Sequence, residues 1–184
     1  MKILNLSIFH IFFLAACLLL PGYSAFAATP FPAGSSYTAA FSPHGKSLKL
    51  IVSCINAAKR NIIVAAYSFT SKPISRALLN AHKRGVIVQI VADKEGNSQY
   101  TAVTFLANQG IPVRLNSQYA AHHHKFMVID GKHVETGSFN YSAAAVDKNA
   151  ENVLVLWDVP ELAALYAAEW QRLWNEAEPL QTQY

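Results

Sequence analysis

The chain has 184 residues, 52% of them hydrophobic, and two cysteines. Two cysteines exclude a disulfide framework, and the length suits one domain with a full core rather than two. The 15 Lys and Arg against 11 Asp and Glu leave a formal charge of +4; so mild an excess suits an anionic partner such as nucleic acid but is as common in periplasmic proteins.

Lys2 precedes an apolar run over residues 8–20, which Pro21 and Gly22 end. This is a secretory signal-peptide pattern, too short to span a bilayer comfortably. Ala25-Phe26-Ala27 offers a cleavage site after Ala27. Residues 1–27 are therefore expected to be a signal peptide and residues 28–184 one functional domain, periplasmic or secreted, with no stable membrane anchor. The competing reading is a lipoprotein box at Leu14-Ala15-Ala16-Cys17, against which Cys17 lies inside the apolar run rather than at its end. Cys54 sits among Ile51, Val52 and Ile55 on the apolar stripe of a predicted helix and reads as a small buried hydrophobe, with no activating base near it in sequence.

After a leader arm over 28–36, apolar residues alternate between strand-like and helix-like periods, which points to one α/β domain. A first strand is predicted over 37–41. A helix follows over 45–59, with Leu48, Ile51, Val52, Ile55 and Ala58 on one face. Residues 61–69 read as a buried strand. Ser71 is the expected cap of the next helix, with Pro73 in its first turn and Gly85 closing it. Strand 86–92, a short helix over 99–108 and strand 111–115 come next. Strands 122–129 and 132–136 are joined by the turn pair Asp130-Gly131. After strand 152–157, Asp158, Pro160 and Glu161 form a capping-box-like start to a last helix carrying Leu162, Tyr166, Trp170 and Leu173.

Residues 121–151 read AHHHKFMVIDGKHVETGSFNYSAAAVDKNAE, and here the pattern stops being generic. The period-2 geometry of a strand turns His123 and Lys125 the same way. Ser138 and Asn140 are likewise two apart, so if the segments run side by side an imidazole, an ammonium, a hydroxyl and an amide converge on one anion. That set suits a phosphate: Lys125 and Asn140 donate to its non-bridging oxygens, and Ser138 either adds a donor or shapes the turn. His123 supplies a nucleophile, and Glu151 is the candidate carboxylate that holds its ring in the right tautomer. Asp130 either fixes the turn beside Gly131 or supports the chemistry. No acidic metal cluster is visible, so no metal and no cofactor are expected. His122, His123, His124 and His133 admit a zinc reading, but alternation throws His122 and His124 to the face opposite His123. Phe126, Met127, Val128 and Ile129 read as core on both faces of their strand. Tyr141 either stacks on a base or packs against the following helix, the second being favoured.

The spacing His123-x-Lys125-x4-Asp130-x6-Gly137-Ser138-x-Asn140 resembles the HxKx4Dx6GSxN signature, the HKD motif, of the phospholipase D superfamily, with every fixed position filled. Glu151 falls where that family places an acidic residue. The segment NIIVAAYSFTSKPISRALLNAHKRGVIVQIVAD looks like the family's stretch upstream of the motif, and in size the chain is similar to the small secreted bacterial Nuc-type endonucleases. The resemblance implies a mixed central β-sheet flanked by helices on both faces. It implies catalytic residues His123, Lys125, Asp130 and Glu151, with Lys125, Ser138 and Asn140 on the phosphate. It further implies hydrolysis of DNA, with RNA also open, through a phosphohistidine. One imidazole cannot comfortably attack phosphorus and also protonate the oxygen departing on the opposite side. The motif occurs once, so the resemblance implies a homodimer that brings two His123 side chains to a shared site. The rivals are a phospholipase or phosphatidyl transferase, which needs an apolar entrance, and a non-catalytic metal-binding protein of the cell envelope.

Overall fold

The computed structural model of the chain describes residues 28–97 and 101–181, so the expected signal peptide lies outside the described residues. The elements in chain order are β1 (Ser36–Ser42), α1 (Ser47–Ala57), β2 (Asn61–Ala66), α2 (Lys72–Lys83), β3 (Ile87–Asp93), α3 (Ala102–Asn108), β4 (Val113–Asn116), β5 (Lys125–Ile129), β6 (His133–Gly137), α4 (Ala143–Asp147), β7 (Glu151–Trp157), α5 (Pro160–Glu176) and β8 (Glu178–Pro179). All strands join one sheet in the order β1-β7-β6-β5-β2-β3-β4-β8. β2, β3 and β4 are mutually parallel because helical crossovers return the chain to the same end of the sheet. The other pairings are antiparallel, so the sheet is mixed, as expected.

Alternation along the central strands supplies two cores. Ile62, Val64, Ala66, Met127 and Ile129 face the cluster shared with α1, α2 and α3, while Ala65, Phe126 and Val128 face the one shared with α5. Burial on both faces is why the segments of β2 and β5 read as continuous apolar runs. Trp170 ties α5 to the centre of the sheet through a 2.8 Å bond from Nε1 to the carbonyl of Val64. Cys54 is fully enclosed, and burial, reinforced by Glu135, pushes its thiol up to about 12, so it behaves as a small hydrophobe. Among the described residues no helix is long and apolar enough to cross a membrane.

Three local expectations are corrected. The strand predicted from residue 122 starts only at Lys125, because its neighbour β2 ends at Ala66, the partner of Lys125, and residues 122–124 have nothing to pair with on that side. Ser71 occupies the N-cap position of α2, yet its hydroxyl is buried without making the cap bond. Asp158 does not cap α5: Val159 takes that position, while Asp158 turns away at φ 53° and pairs with Lys132 Nζ at 2.6 Å. No periodicity announces α4, whose 5 residues are held at the start by a 3.3 Å bond from Ala145 N–H to Ser142 Oγ.

Candidate active site

Antiparallel pairing puts the start of β5, the end of β6 and the start of β7 at one end of the sheet. His123, Lys125, Gly137, Ser138, Asn140 and Glu151 therefore line a single cleft of about 380 Å³. Gly137 makes this possible: a Cβ there would lie 2.2 Å from the carbonyl oxygen of Asn152, so only glycine lets β6 and β7 approach at the point where the chain enters the Ser138–Asn140 segment.

His123 is exposed and its ring lies 4.6 Å, centre to centre, from that of Tyr67. Lys125 is buried; its Nζ donates to the carbonyl of His123 at 2.6 Å and sits 5.1 Å from the centre of the same Tyr67 ring. Burial lowers the Lys125 pKa, with the Glu151 carboxylate pulling the other way. An ammonium already stripped of much of its water is drawn more strongly to an incoming anion than one fully hydrated. Asn140 is half-buried, and its Oδ1 is enclosed with no hydrogen-bond partner among the described residues.

Ser138 and Glu151 line the cleft but are already engaged. The Ser138 hydroxyl donates its one proton to Glu151 Oε2 at 2.6 Å and accepts from Asn152 N–H at 3.1 Å. It thus shapes the turn, and donation to a phosphate would require breaking the bond to Glu151. Glu151 Oε1 in turn accepts from Asn149 Nδ2 at 3.0 Å. The expected tie from Glu151 to the His123 ring is absent among the described residues.

Asp130 is not brought to the cleft. It sits past the far end of β5 at φ 55°, where its carboxylate accepts the backbone N–H groups of Lys59, Arg60 and Asn61 at 2.7 to 3.2 Å. Arg60 also donates to the Asp130 carbonyl. Burial pushes the Asp130 pKa up, but these amides and the Arg60 charge outweigh it and hold the carboxyl below its ordinary value. It lies five positions along the chain from Lys125, about 16 Å at the usual rise, so its carboxylate is bound to these amides and does not face the cleft, the arrangement of the structural alternative.

The neighbouring histidines divide. His122 is buried with both ring nitrogens unpartnered among the described residues, and burial, with His124 adding to it, pushes its pKa down to about 4. His124 is exposed and meets Glu169 of α5 at 3.2 Å. His133 lies at the other end of the sheet, accepting the Asp158 N–H at 2.9 Å. Among the described residues no three His, Cys, Asp or Glu side chains come together around a metal-sized space. Tyr141 is fully enclosed against Phe69, which closes the base-stacking alternative.

Sequence reasoning missed Tyr67, Asp93 and Asn97. Tyr67 follows the last residue of β2, and only the Ala66–Lys125 register brings it beside the motif. Asp93 accepts the His122 N–H at 2.7 Å and Asn97 donates to the Tyr67 carbonyl at 2.6 Å. Residues this far apart in sequence carry no spacing signal.

The family described as cardiolipin synthase, PLD-like domain, matches residues 51–174. A mitochondrial cardiolipin hydrolase of Danio rerio is 34% identical over 145 residues, which cover 74% of this chain but only 62% of that protein. A phospholipase D of Rickettsia conorii is 36% identical over 137 residues, covering 74% of this chain and 68% of the relative. Among solved structures, Nuc from Salmonella typhimurium, a phospholipase D family member, superposes with a TM-score of 0.79 at 41% identity, over 80% of this chain and 99% of that one. NucT from Helicobacter pylori gives 0.70 at 26% identity, over 79% and 99%. With His123, Lys125, Gly137, Ser138 and Asn140 of the motif at one cleft and both sequence and fold in agreement, the chain belongs to the phospholipase D superfamily and is of the Nuc type.

Proposed function

We propose that the chain is a phosphodiesterase that hydrolyses DNA, and RNA as a second substrate, without a metal ion, as a homodimer exported to the periplasm or the medium. The observation that carries this reading is the convergence of His123, Lys125 and Asn140 on one cleft. It is supported by 41% identity to Nuc across nearly the whole of that chain. Lys125 and Asn140 hold the non-bridging oxygens, where charge gathers in an in-line displacement. His123 attacks phosphorus, the bond to the leaving oxygen breaks, and His123 of the second subunit delivers the proton to that oxygen. The second imidazole then takes a proton from water, whose oxygen displaces the first and restores both histidines.

The test is cleavage of plasmid DNA in excess EDTA. The expected result is degradation by the wild type and a loss of about a thousand-fold or more in His123→Ala, at unchanged melting temperature. Undiminished activity in the mutant would sink the mechanism.

A lipid phosphodiester is the second reading, favoured by the cardiolipin hydrolase and phospholipase D relatives. Leu165 is 69% exposed and shares a groove with His123 and Lys125, as an apolar entrance would require. Release of phosphatidate from cardiolipin vesicles, with plasmid left intact, would establish it.

A further inference from the structure

We propose that Tyr67 is a positioning residue for His123 and Lys125: its ring is a fixed wall against which the imidazole and the ammonium are aligned on one phosphodiester. The inference rests on the phosphodiesterase reading above and adds to it a residue outside the motif.

The ring makes both contacts at once. It lies 4.6 Å from the His123 ring, tilted by 50°, and carries the Lys125 ammonium 5.1 Å from its centre. An aromatic face attracts a cation and packs against an imidazole, so the one ring constrains both groups. Lys125 completes the triangle by donating to the His123 carbonyl at 2.6 Å. His123 is exposed, so without the ring its side chain would have little to restrict its rotamers.

The ring is itself held from behind. A Cβ on Gly96 would come within 3.2 Å of Tyr67 Cε2 and 2.9 Å of its carbonyl oxygen, so the bare glycine is what leaves room for the ring. Buried Asn97 clamps the main chain on both sides of Ser68, donating to the Tyr67 carbonyl at 2.6 Å and accepting the Phe69 N–H at 3.0 Å. Asn97 also donates to the Asp93 carbonyl at 2.8 Å. The buried Asp93 carboxylate receives Gly96 N–H at 2.5 Å on one oxygen and His122 N–H at 2.7 Å on the other. One carboxylate thus anchors both the loop under the ring and the peptide that leads into His123. Wall and nucleophile share a single reference point, and a misplacement of about 1 Å between them is enough to cost a large rate factor.

The test compares Tyr67→Phe, Tyr67→Leu and Gly96→Ala, with bis(p-nitrophenyl) phosphate as a substrate that is neither nucleic acid nor lipid. Tyr67→Phe keeps the ring and is expected to retain kcat within about threefold. Tyr67→Leu and Gly96→Ala, which remove or push the ring, are expected to lower kcat by about tenfold to a hundredfold while KM moves by less than about threefold. Wild-type kcat in Tyr67→Leu, or an equal loss in Tyr67→Phe, overturns the proposal. A second readout needs no turnover: the His123 ring resonances in NMR spectra are expected to move in Tyr67→Leu and stay in Tyr67→Phe. A wild type that cleaves no phosphodiester would defeat the functional reading, whereas His123 resonances indifferent to Tyr67→Leu would defeat this one.

Discussion

Glu135 is fully enclosed in β6, and its Oε2 accepts the Tyr141 hydroxyl at 2.7 Å. Burial raises its pKa to about 8 against the opposing effect of that bond, and burial also lifts Tyr141 well above its ordinary value. The pair is therefore a neutral acid and a neutral phenol at moderate pH. The position matters because Tyr141 directly follows Asn140 and its carbonyl accepts the N–H groups of Thr70 and Ser71, anchoring the end of the motif to the loop after β2. A carboxyl whose folded pKa is raised contributes stability that is whole below its unfolded value and is lost as pH climbs through the folded one. The unfolding free energy of the wild type, read from urea titrations, is thus expected to fall between pH 5 and pH 8 by an amount on the order of 2 to 4 kcal/mol. Glu135→Gln flattens that slope; equal slopes in both proteins would show that Glu135 is not the group responsible.

At the scale of elements, the cleft exists because β5, β6 and β7 end or begin together, and Asp130 is what fastens the opposite end. Its carboxylate gathers the amides of residues 59–61, joining the segment between α1 and β2 to the turn between β5 and β6. Asp130→Ala leaves those donors without their charged acceptor and is expected to cost about 2 to 4 kcal/mol in urea unfolding. The folded fraction should keep near wild-type turnover, since the carboxylate does not face the cleft; a stable mutant with lost kcat would restore Asp130 to the chemistry. Its lowered pKa carries the opposite sign to that of Glu135. The stabilisation is present above the unfolded value and disappears as acid protonates the folded carboxylate, so Asp130→Ala flattens the acid end of the stability profile and Glu135→Gln the alkaline end.

At the scale of the whole molecule, one cleft offers one His123, and the proposed chemistry uses two. Wild type mixed and re-equilibrated with an equal amount of His123→Ala is expected to retain about one quarter of full activity when only dimers with both histidines turn over, the random share for a two-fold assembly. Retention of one half in the same assay would mean that each subunit works alone. Sedimentation of the wild type at working concentration gives the assembly state directly.

The elements of the core were legible because β2, β3 and β5 are buried on both faces and write uninterrupted apolar runs, while α1 and α2 carry one-sided stripes. The motif was legible as six residue types at fixed intervals, but His123 precedes β5, so strand alternation does not by itself set it beside Lys125. Nothing local marked where the β5 ladder begins, since that depends on β2 stopping at Ala66. Nothing local assigned Asp130 to the amides of residues 59–61 or Ser138 to Glu151, because a hydrogen bond between distant segments leaves no period in either. The sequence by itself determined the α/β layering and the residue types that the site offers, which rest on burial and short-range spacing. Only the tertiary structure decided which polar groups are spent on holding the chain and which remain for a ligand, and it alone placed Tyr67 against both His123 and Lys125.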